Sequence, residues 1–124
     1  MPRAPALLIV DDEPDMLDLL RIFASEAFPA ARIVGAASGE AALVVIAAAP
    51  PDVVLCDFRM PGMDGIELLR RCAVAAPRAR RVLMTAYADS GLEALAQEAG
   101  VEAFLRKPLD PEQLLALLRR LLAA

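Results

Sequence analysis

Five short apolar runs alternate with five helical patterns along this chain, and that alternation restricts the fold more than any other feature. The runs are Leu7-Leu8-Ile9-Val10, the weaker Arg32 to Ala36, Val53-Val54-Leu55-Cys56, Val82-Leu83-Met84 and Ala103 to Arg106. Pro14 suits the first turn of a helix, and Met16, Leu19, Leu20, Phe23, Ala24 and Ala27 then fall on one helical stripe. Ser38 is placed to cap a helix running to about Ala48, where Pro50-Pro51 stops it. Pro61-Gly62 and Asp64-Gly65 form a turn-rich loop before a helix from about Ile66 to Ala76. A fourth helix runs from Ser90 to Ala99 with Gly100 as its stop, and Asp110-Pro111 opens the last, to about Leu122.

Strands that are apolar on both faces and alternate with helices imply a parallel sheet covered on both sides. Right-handed crossovers leave few topologies, and five units suit an α/β, flavodoxin-like, doubly wound (βα)5 fold with strand order 2-1-3-4-5. With no repeat, low-complexity tract or linker, residues 1–124 are expected to form a single domain. Arg119 to Ala124 are helical in type with no stop signal, so both a stand-alone domain and a piece of a longer regulator are open readings.

Composition removes several function classes. The longest apolar run, Ala41 to Ala49, is nine residues, against the roughly 20 a membrane helix needs. The apolar stretch before Asp11 is short and broken by Pro2, Arg3 and Pro5, unlike a signal peptide. Lys plus Arg number 13 against 17 Asp plus Glu, a net charge of −4, with no basic cluster beyond Arg78, Arg80 and Arg81. Neither a membrane nor a nucleic-acid partner is expected. Cys56 and Cys72 with no His exclude the usual zinc spacings and His-based catalysis, and reduced thiols in a cytoplasm are the expectation. Twelve of the thirteen basic residues are Arg, and the only Lys is Lys107.

In a parallel sheet every strand C-terminus lies on one edge, and ligands bind there. The polar residues at those ends are Asp11 and Asp12, Asp57, Thr85 and Lys107; strand two ends in Gly35-Ala36-Ala37 and adds nothing. In the order 2-1-3-4-5 the four polar ends are neighbours. Crowded carboxylates need a counter-charge, and a hard divalent cation such as Mg²⁺ suits that donor set. Thr85 and Lys107 supply a hydroxyl and an ammonium for phosphoryl oxygens. There is no GxxxxGK[ST] and no GxGxxG, so a bound nucleotide is not the phosphate source, and one carboxylate is left as the acceptor. Singly, each piece has an ordinary explanation: an Asp-Asp pair caps helices, an Asp ends strands as a turn residue, a Thr forms strands. Their joint occurrence at adjacent strand ends does not.

These residues resemble, end to end, a receiver domain of two-component response regulators. The matching segments are Leu8-Ile9-Val10-Asp11-Asp12-Glu13, Val54 through Gly65, Met84-Thr85-Ala86, and Phe104-Leu105-Arg106-Lys107-Pro108. The resemblance implies that Asp57 takes a phosphoryl group from the phosphohistidine of a sensor histidine kinase or a phosphotransfer protein. It implies that Asp12, Asp57 and the backbone carbonyl of Arg59 ligate Mg²⁺, with Asp11 acting through water, and that Thr85 and Lys107 bind phosphoryl oxygens. It also implies a cis Lys107–Pro108 bond, and places Phe104 at the family's switch aromatic. Such a domain assists only its own phosphorylation and dephosphorylation and is not otherwise an enzyme.

Two other classes compete. A haloacid-dehalogenase-type phosphatase also uses Asp, Thr or Ser, Lys and Mg²⁺, but needs a second Asp where this chain has Arg59. A receiver-like module that is never phosphorylated is argued against by the intact residue set. Two further expectations concern surfaces. Arg59 and Tyr87, two residues beyond Asp57 and Thr85 respectively, flank the cleft mouth and are expected to set the lifetime of the phosphorylated state by restricting the hydrolytic water or contacting the phosphoryl group. Helix four, strand five and helix five form an output face or homodimer surface, on which Leu114, Leu118 and Leu121 cover the sheet, Leu117 points substantially outward, and Leu115 and Leu122 lie on the margins.

Overall fold

The computed structural model describes residues 3–87 and 89–123. Met1 and Pro2 of the stretch weighed as a signal, Ala88, and Ala124 at the chain's end lie outside the described residues. Strands β1 (Ala6–Val10), β2 (Arg32–Ala36), β3 (Val53–Asp57), β4 (Arg80–Thr85) and β5 (Ala103–Arg106) form one parallel sheet in the order β2-β1-β3-β4-β5. Helices α1 (Pro14–Ala27), α2 (Gly39–Ala48), α3 (Gly65–Ala75), α4 (Ser90–Glu98) and α5 (Pro111–Ala123) connect and cover it. The expected fold class and strand order are the observed ones. No helix among the described residues is long and apolar enough to cross a membrane.

The side-chain alternation of each strand divides the core in two. Leu8, Val10, Val54, Cys56 and Leu83 face Ile46 of α2, Leu68 and Leu69 of α3 and Leu92 of α4. Leu7, Ile9, Val53, Leu55, Met84 and Leu105 face Leu20 of α1 and Leu114, Leu118 and Leu121 of α5. Each fully buried aliphatic side chain contributes about 1.5–3 kcal/mol, so both faces of the three central strands are held rigid.

Local signals act as their chemistry demands. Pro14 opens α1, Ser38 Oγ accepts the Ala41 N–H at 3.0 Å, and Gly100 takes φ of 77° to end α4. β4 begins two residues before the expected Val82, because the Arg80 N–H donates to the Asp52 carbonyl at 2.8 Å. The Arg81 guanidinium donates to the carbonyls of Leu69 and Ala99, so this member of the short basic run joins α3 and α4 to the sheet. Cys56 and Cys72 are free and buried, and burial pushes both thiols up.

One surface expectation is corrected. Leu114, Leu118 and Leu121 are buried as expected, but Leu117 is half-buried against the same core, as is Leu122. Leu117 lies three residues after Leu114 and four before Leu121, so it borders their stripe and is partly covered with it. Leu95 of α4, 44% exposed, is the outward leucine of this region.

Gly65 is where the fold touches the chemistry. Its N–H donates to the Phe58 carbonyl at 2.9 Å, bringing the start of α3 against the end of β3. A Cβ here would meet the Asp57 carbonyl oxygen, and at 2.9 Å both Leu83 Cδ1 and Phe58 Cα. Backbone atoms cannot step aside as a flexible side chain can, so Gly65→Ala is expected to destabilise the domain by about 1–3 kcal/mol. Urea denaturation measures this; an unchanged midpoint would show that the β3–α3 junction yields.

Candidate functional site

The ladder of the sheet continues past the strand ends and sets the site. The Asp11 N–H donates to the Ala36 carbonyl at 3.1 Å, the Phe58 N–H to Met84 at 2.9 Å, and the Lys107 N–H to Thr85 at 2.9 Å. Strand alternation then decides who meets whom. Leu7 and Ile9, Val53 and Leu55, and Leu105 all face α1 and α5; the next positions in those series are Asp11, Asp57 and Lys107. The three converge: Lys107 Nζ lies 2.9 Å from Asp57 Oδ1 and 3.4 Å from Asp11 Oδ2.

Asp11 is fully buried and Asp57 is 7% exposed. Asp11, Asp12 and Asp57 each offer a carboxylate oxygen, and these oxygens lie within 4.8 Å of one another. The ordinary reading of Asp11-Asp12 as a helix cap does not hold. α1 begins after Glu13 with no side-chain cap, and Asp11 Oδ1 instead accepts the Glu13 N–H at 3.0 Å.

Thr85 is 1% exposed, and its Oγ1 accepts the Tyr87 N–H at 2.9 Å, leaving the hydroxyl proton free to donate elsewhere. A cleft of about 260 Å³ opens above these groups, lined by Asp12, Glu13, Asp57, Arg59, Thr85, Ala86, Tyr87 and Lys107. Across it the Arg59 guanidinium stands 4.3 Å from the centre of the Tyr87 ring. The Lys107–Pro108 bond is cis, as expected. Phe104 is half-buried against the α2–α4 side of the core, next to Leu83 in the β4–β5 register and on the same sheet face as Thr85.

Charge in the site is only partly compensated. Burial pushes the Asp57 carboxyl above the ordinary carboxylate value; the hydrogen bond and charge of Lys107 oppose this without cancelling it, and Asp11 and Asp12 add to it. Burial alone would lower the Lys107 ammonium, but Asp57 and then Asp11 outweigh it and hold that group above the usual lysine value. An oxygen-rich acidic pocket with an ammonium and a free hydroxyl at its rim is suited to hold a hard cation and to receive a phosphoryl group.

All the expected site residues thus line or underlie one cleft. Sequence reasoning gave Glu13 no role although it lines the same wall; its place in the acidic run was the available signal. Gly65, read only as a turn residue, backs the Asp57 carbonyl. The contact between Arg59 and Tyr87 joins residues 28 positions apart in sequence, and no local pattern marks it.

A five-stranded doubly wound domain with this cleft at its C-terminal edge has the form of a phosphoacceptor signalling domain. The sequence profile of the response regulator receiver domain matches residues 7–119, and the chain belongs to that family of two-component signal transduction. It is similar to sporulation initiation phosphotransferase F of Bacillus subtilis (strain 168), 36% identical over 87% of this chain and 86% of that protein. It is also 34% identical, over 98% of its own length, to the hydrogenase transcriptional regulatory protein HoxA of Cupriavidus necator, of which it spans only 25%. Among solved structures, the signal receiver domain of a DNA-binding response regulator from Colwellia psychrerythraea 34H matches with a TM-score of 0.91 at 27% identity, covering 97% of this chain and 99% of that one.

A raised carboxyl has a definite effect on stability. The fold favours protonated Asp57, so its contribution is present below the ordinary carboxylate range and is lost as pH rises through the raised value. At neutral pH the ionised group is therefore a net cost. Without divalent cations, Asp57→Asn should stabilise the domain at pH 7–8 by roughly 0.5–2 kcal/mol. The gain should shrink as pH falls and the parent's own Asp57 protonates. Thermal unfolding from pH 8 down into the ordinary carboxylate range checks both; a destabilised Asn variant at pH 7 would mean that the Lys107 pair outweighs burial.

Proposed function

We propose that Asp57 is the phosphoacceptor of this receiver domain and that the described residues act as one domain within residues 1–124. The observation that supports this best is Lys107 Nζ held 2.9 Å from Asp57 beside the buried Thr85 hydroxyl and the carboxylates of Asp11 and Asp12. The donor is the phosphohistidine of a sensor histidine kinase or a phosphotransfer protein. A carboxylate oxygen of Asp57 bonds to phosphorus as the P–N bond to the donor imidazole breaks, and the electron pair stays on that imidazole. Lys107 and Thr85 donate to phosphoryl oxygens, stabilising charge where it develops.

The clustered oxygen donors fit Mg²⁺, held by Asp12, Asp57 and the Arg59 carbonyl, with Asp11 supporting. When bound, the ion neutralises the carboxylates and offsets phosphoryl charge. Burial of the acids around one ammonium is the reason such a charge is needed. The domain acts on its own aspartate rather than turning over a separate substrate. The dehalogenase-type reading loses ground here, since Arg59 stacks on Tyr87 where that chemistry needs an acid.

Protein partners fit two surfaces. An apolar groove of about 330 Å³ beside Lys107, lined by Leu19, Phe23, Pro108 and Leu109 among others, offers a seat to the donor protein. The face of α4, β5 and α5 is the output surface, for a homodimer or a downstream partner. There Leu95 is exposed and Arg106 pairs with Glu93 at 3.4 Å. Thr85, Phe104 and Arg106 lie on the sheet face beneath α4, so phosphoryl capture at Thr85 would shift a two-state equilibrium there. Neither nucleic acid nor a membrane is a proposed partner, and the cytoplasm is the proposed location.

With acetyl phosphate and Mg²⁺ the intact mass should rise by one phosphoryl group, and Asp57→Asn or chelation of the metal should abolish the main product. Equal labelling of the Asn variant would falsify the assignment. Sedimentation should show beryllofluoride promoting a dimer that Leu95→Glu prevents. A monomer in both states, with partner binding untouched by Leu95→Glu, would remove this face from the output role.

A further inference from the structure

The basic run at Arg78, Arg80 and Arg81 divides in the folded chain. Arg81 turns inward and donates to the Leu69 and Ala99 carbonyls. Arg78 is exposed and Arg80 half-buried, and both line a cleft of about 550 Å³ that they share with Arg3 and Asp52. β3 and β4 begin beside it, at Val53 and Arg80, so the cleft opens at the edge of the sheet opposite Asp57, the length of β3 away.

Three guanidiniums and one carboxylate meet here, on a chain whose net charge is −4. The carboxylate is already committed. Asp52 accepts from the Arg3 guanidinium at 2.9 Å and from the Ala6 N–H at 2.7 Å, so it is spent on Arg3 and on the start of β1. Among the described residues, the side chains of Arg78 and Arg80 have neither an ion-pair partner nor a hydrogen bond. Two uncompensated cations in a concave place form a local positive field that attracts an anion.

The rest of the lining narrows the kind of anion. Apart from these charged residues the cleft is lined by proline and alanine alone. It therefore has no ring on which a base could stack and no hydroxyl or side-chain amide to read a base edge. Guanidiniums set along a proline and alanine surface match carboxylates carried on aliphatic stems instead. The planar fork grips a carboxylate through two N–H donors, and the apolar surface between the forks accepts the methylenes.

We propose that this cleft docks an acidic segment of a partner protein, its carboxylates taken by Arg78 and Arg80 with Arg3 at the rim. The site is separate from the phosphoacceptor cleft, from the apolar groove beside Lys107 and from the α4 face. A dye-labelled, blocked hexaglutamate peptide and a labelled oligothymidylate are titrated into the parent chain, Arg78→Glu, Arg80→Glu and Arg21→Glu, read by fluorescence anisotropy, with thermal unfolding recorded for each protein. Binding of hexaglutamate to the parent should be saturable and should weaken as salt rises. Arg78→Glu and Arg80→Glu should each weaken it about tenfold, the scale of one lost charge-assisted contact. Arg21→Glu makes the same change of net charge beside Gly35 of β2 and should leave binding unchanged. No saturable binding to the parent overturns the proposal. An equal loss in all three variants also does, because the peptide would then be responding to net charge alone. Tighter binding of oligothymidylate than of hexaglutamate overturns it in favour of nucleic acid. A fall in the thermal stability of Arg78→Glu with its affinity intact assigns that arginine to the carbonyl end of α3 and overturns it too.

Discussion

Lys107 reaches two buried carboxylates at once, 2.9 Å to Asp57 and 3.4 Å to Asp11, and the rest of the site is arranged around that contact. Taking charged groups out of water is expensive, and a pair of this kind is seldom a net source of stability. Here the compensation is incomplete by construction: one ammonium faces several acids, and Asp57 stays above its ordinary value despite its partner. Residual negative charge on clustered carboxylates, in a place water reaches poorly, is a donor set suited to a hard cation.

Such an arrangement persists only on a scaffold that cannot relax. β1, β3 and β4 are buried on both faces, and backbone hydrogen bonds carry the ladder one residue beyond β1, β3 and β5. Gly65 tightens the junction from the other side, where even a methyl group would collide with backbone. The rigidity of the hydrophobic core is therefore used at its edge to hold like charges closer than they would choose.

The two faces of the sheet divide the labour. Asp11, Asp57 and Lys107 continue the residue series that faces α1 and α5, whereas Thr85 and Phe104 continue the series that faces α3 and α4. The cleft lies across the sheet edge and touches both. Thr85 borders the cleft from the opposite face, the face on which Phe104, the Arg106–Glu93 pair and exposed Leu95 lie.

Much of this was legible in the linear chain. The five apolar runs implied a doubly wound parallel sheet, because a strand buried on both faces needs helices on both sides. Once the order was known, the polar residues after the strands had to share one edge, so Asp11, Asp12, Asp57, Thr85 and Lys107 could be named together. Pro14, Ser38 and Gly100 acted through backbone chemistry that depends on few neighbours. Long-range packing decided the rest. α5 half-buries Leu117 against the core it shares with the sheet, and β4 starts at Arg80 because Asp52 offers a carbonyl there. Arg59 finds Tyr87 because two loops that are distant in sequence face each other across the cleft. Periodicity and caps are local and can be read from a single strand or helix; the width of a buried stripe, the partner of a cation and the balance of charge around an acid depend on neighbours that only the folded chain brings within reach.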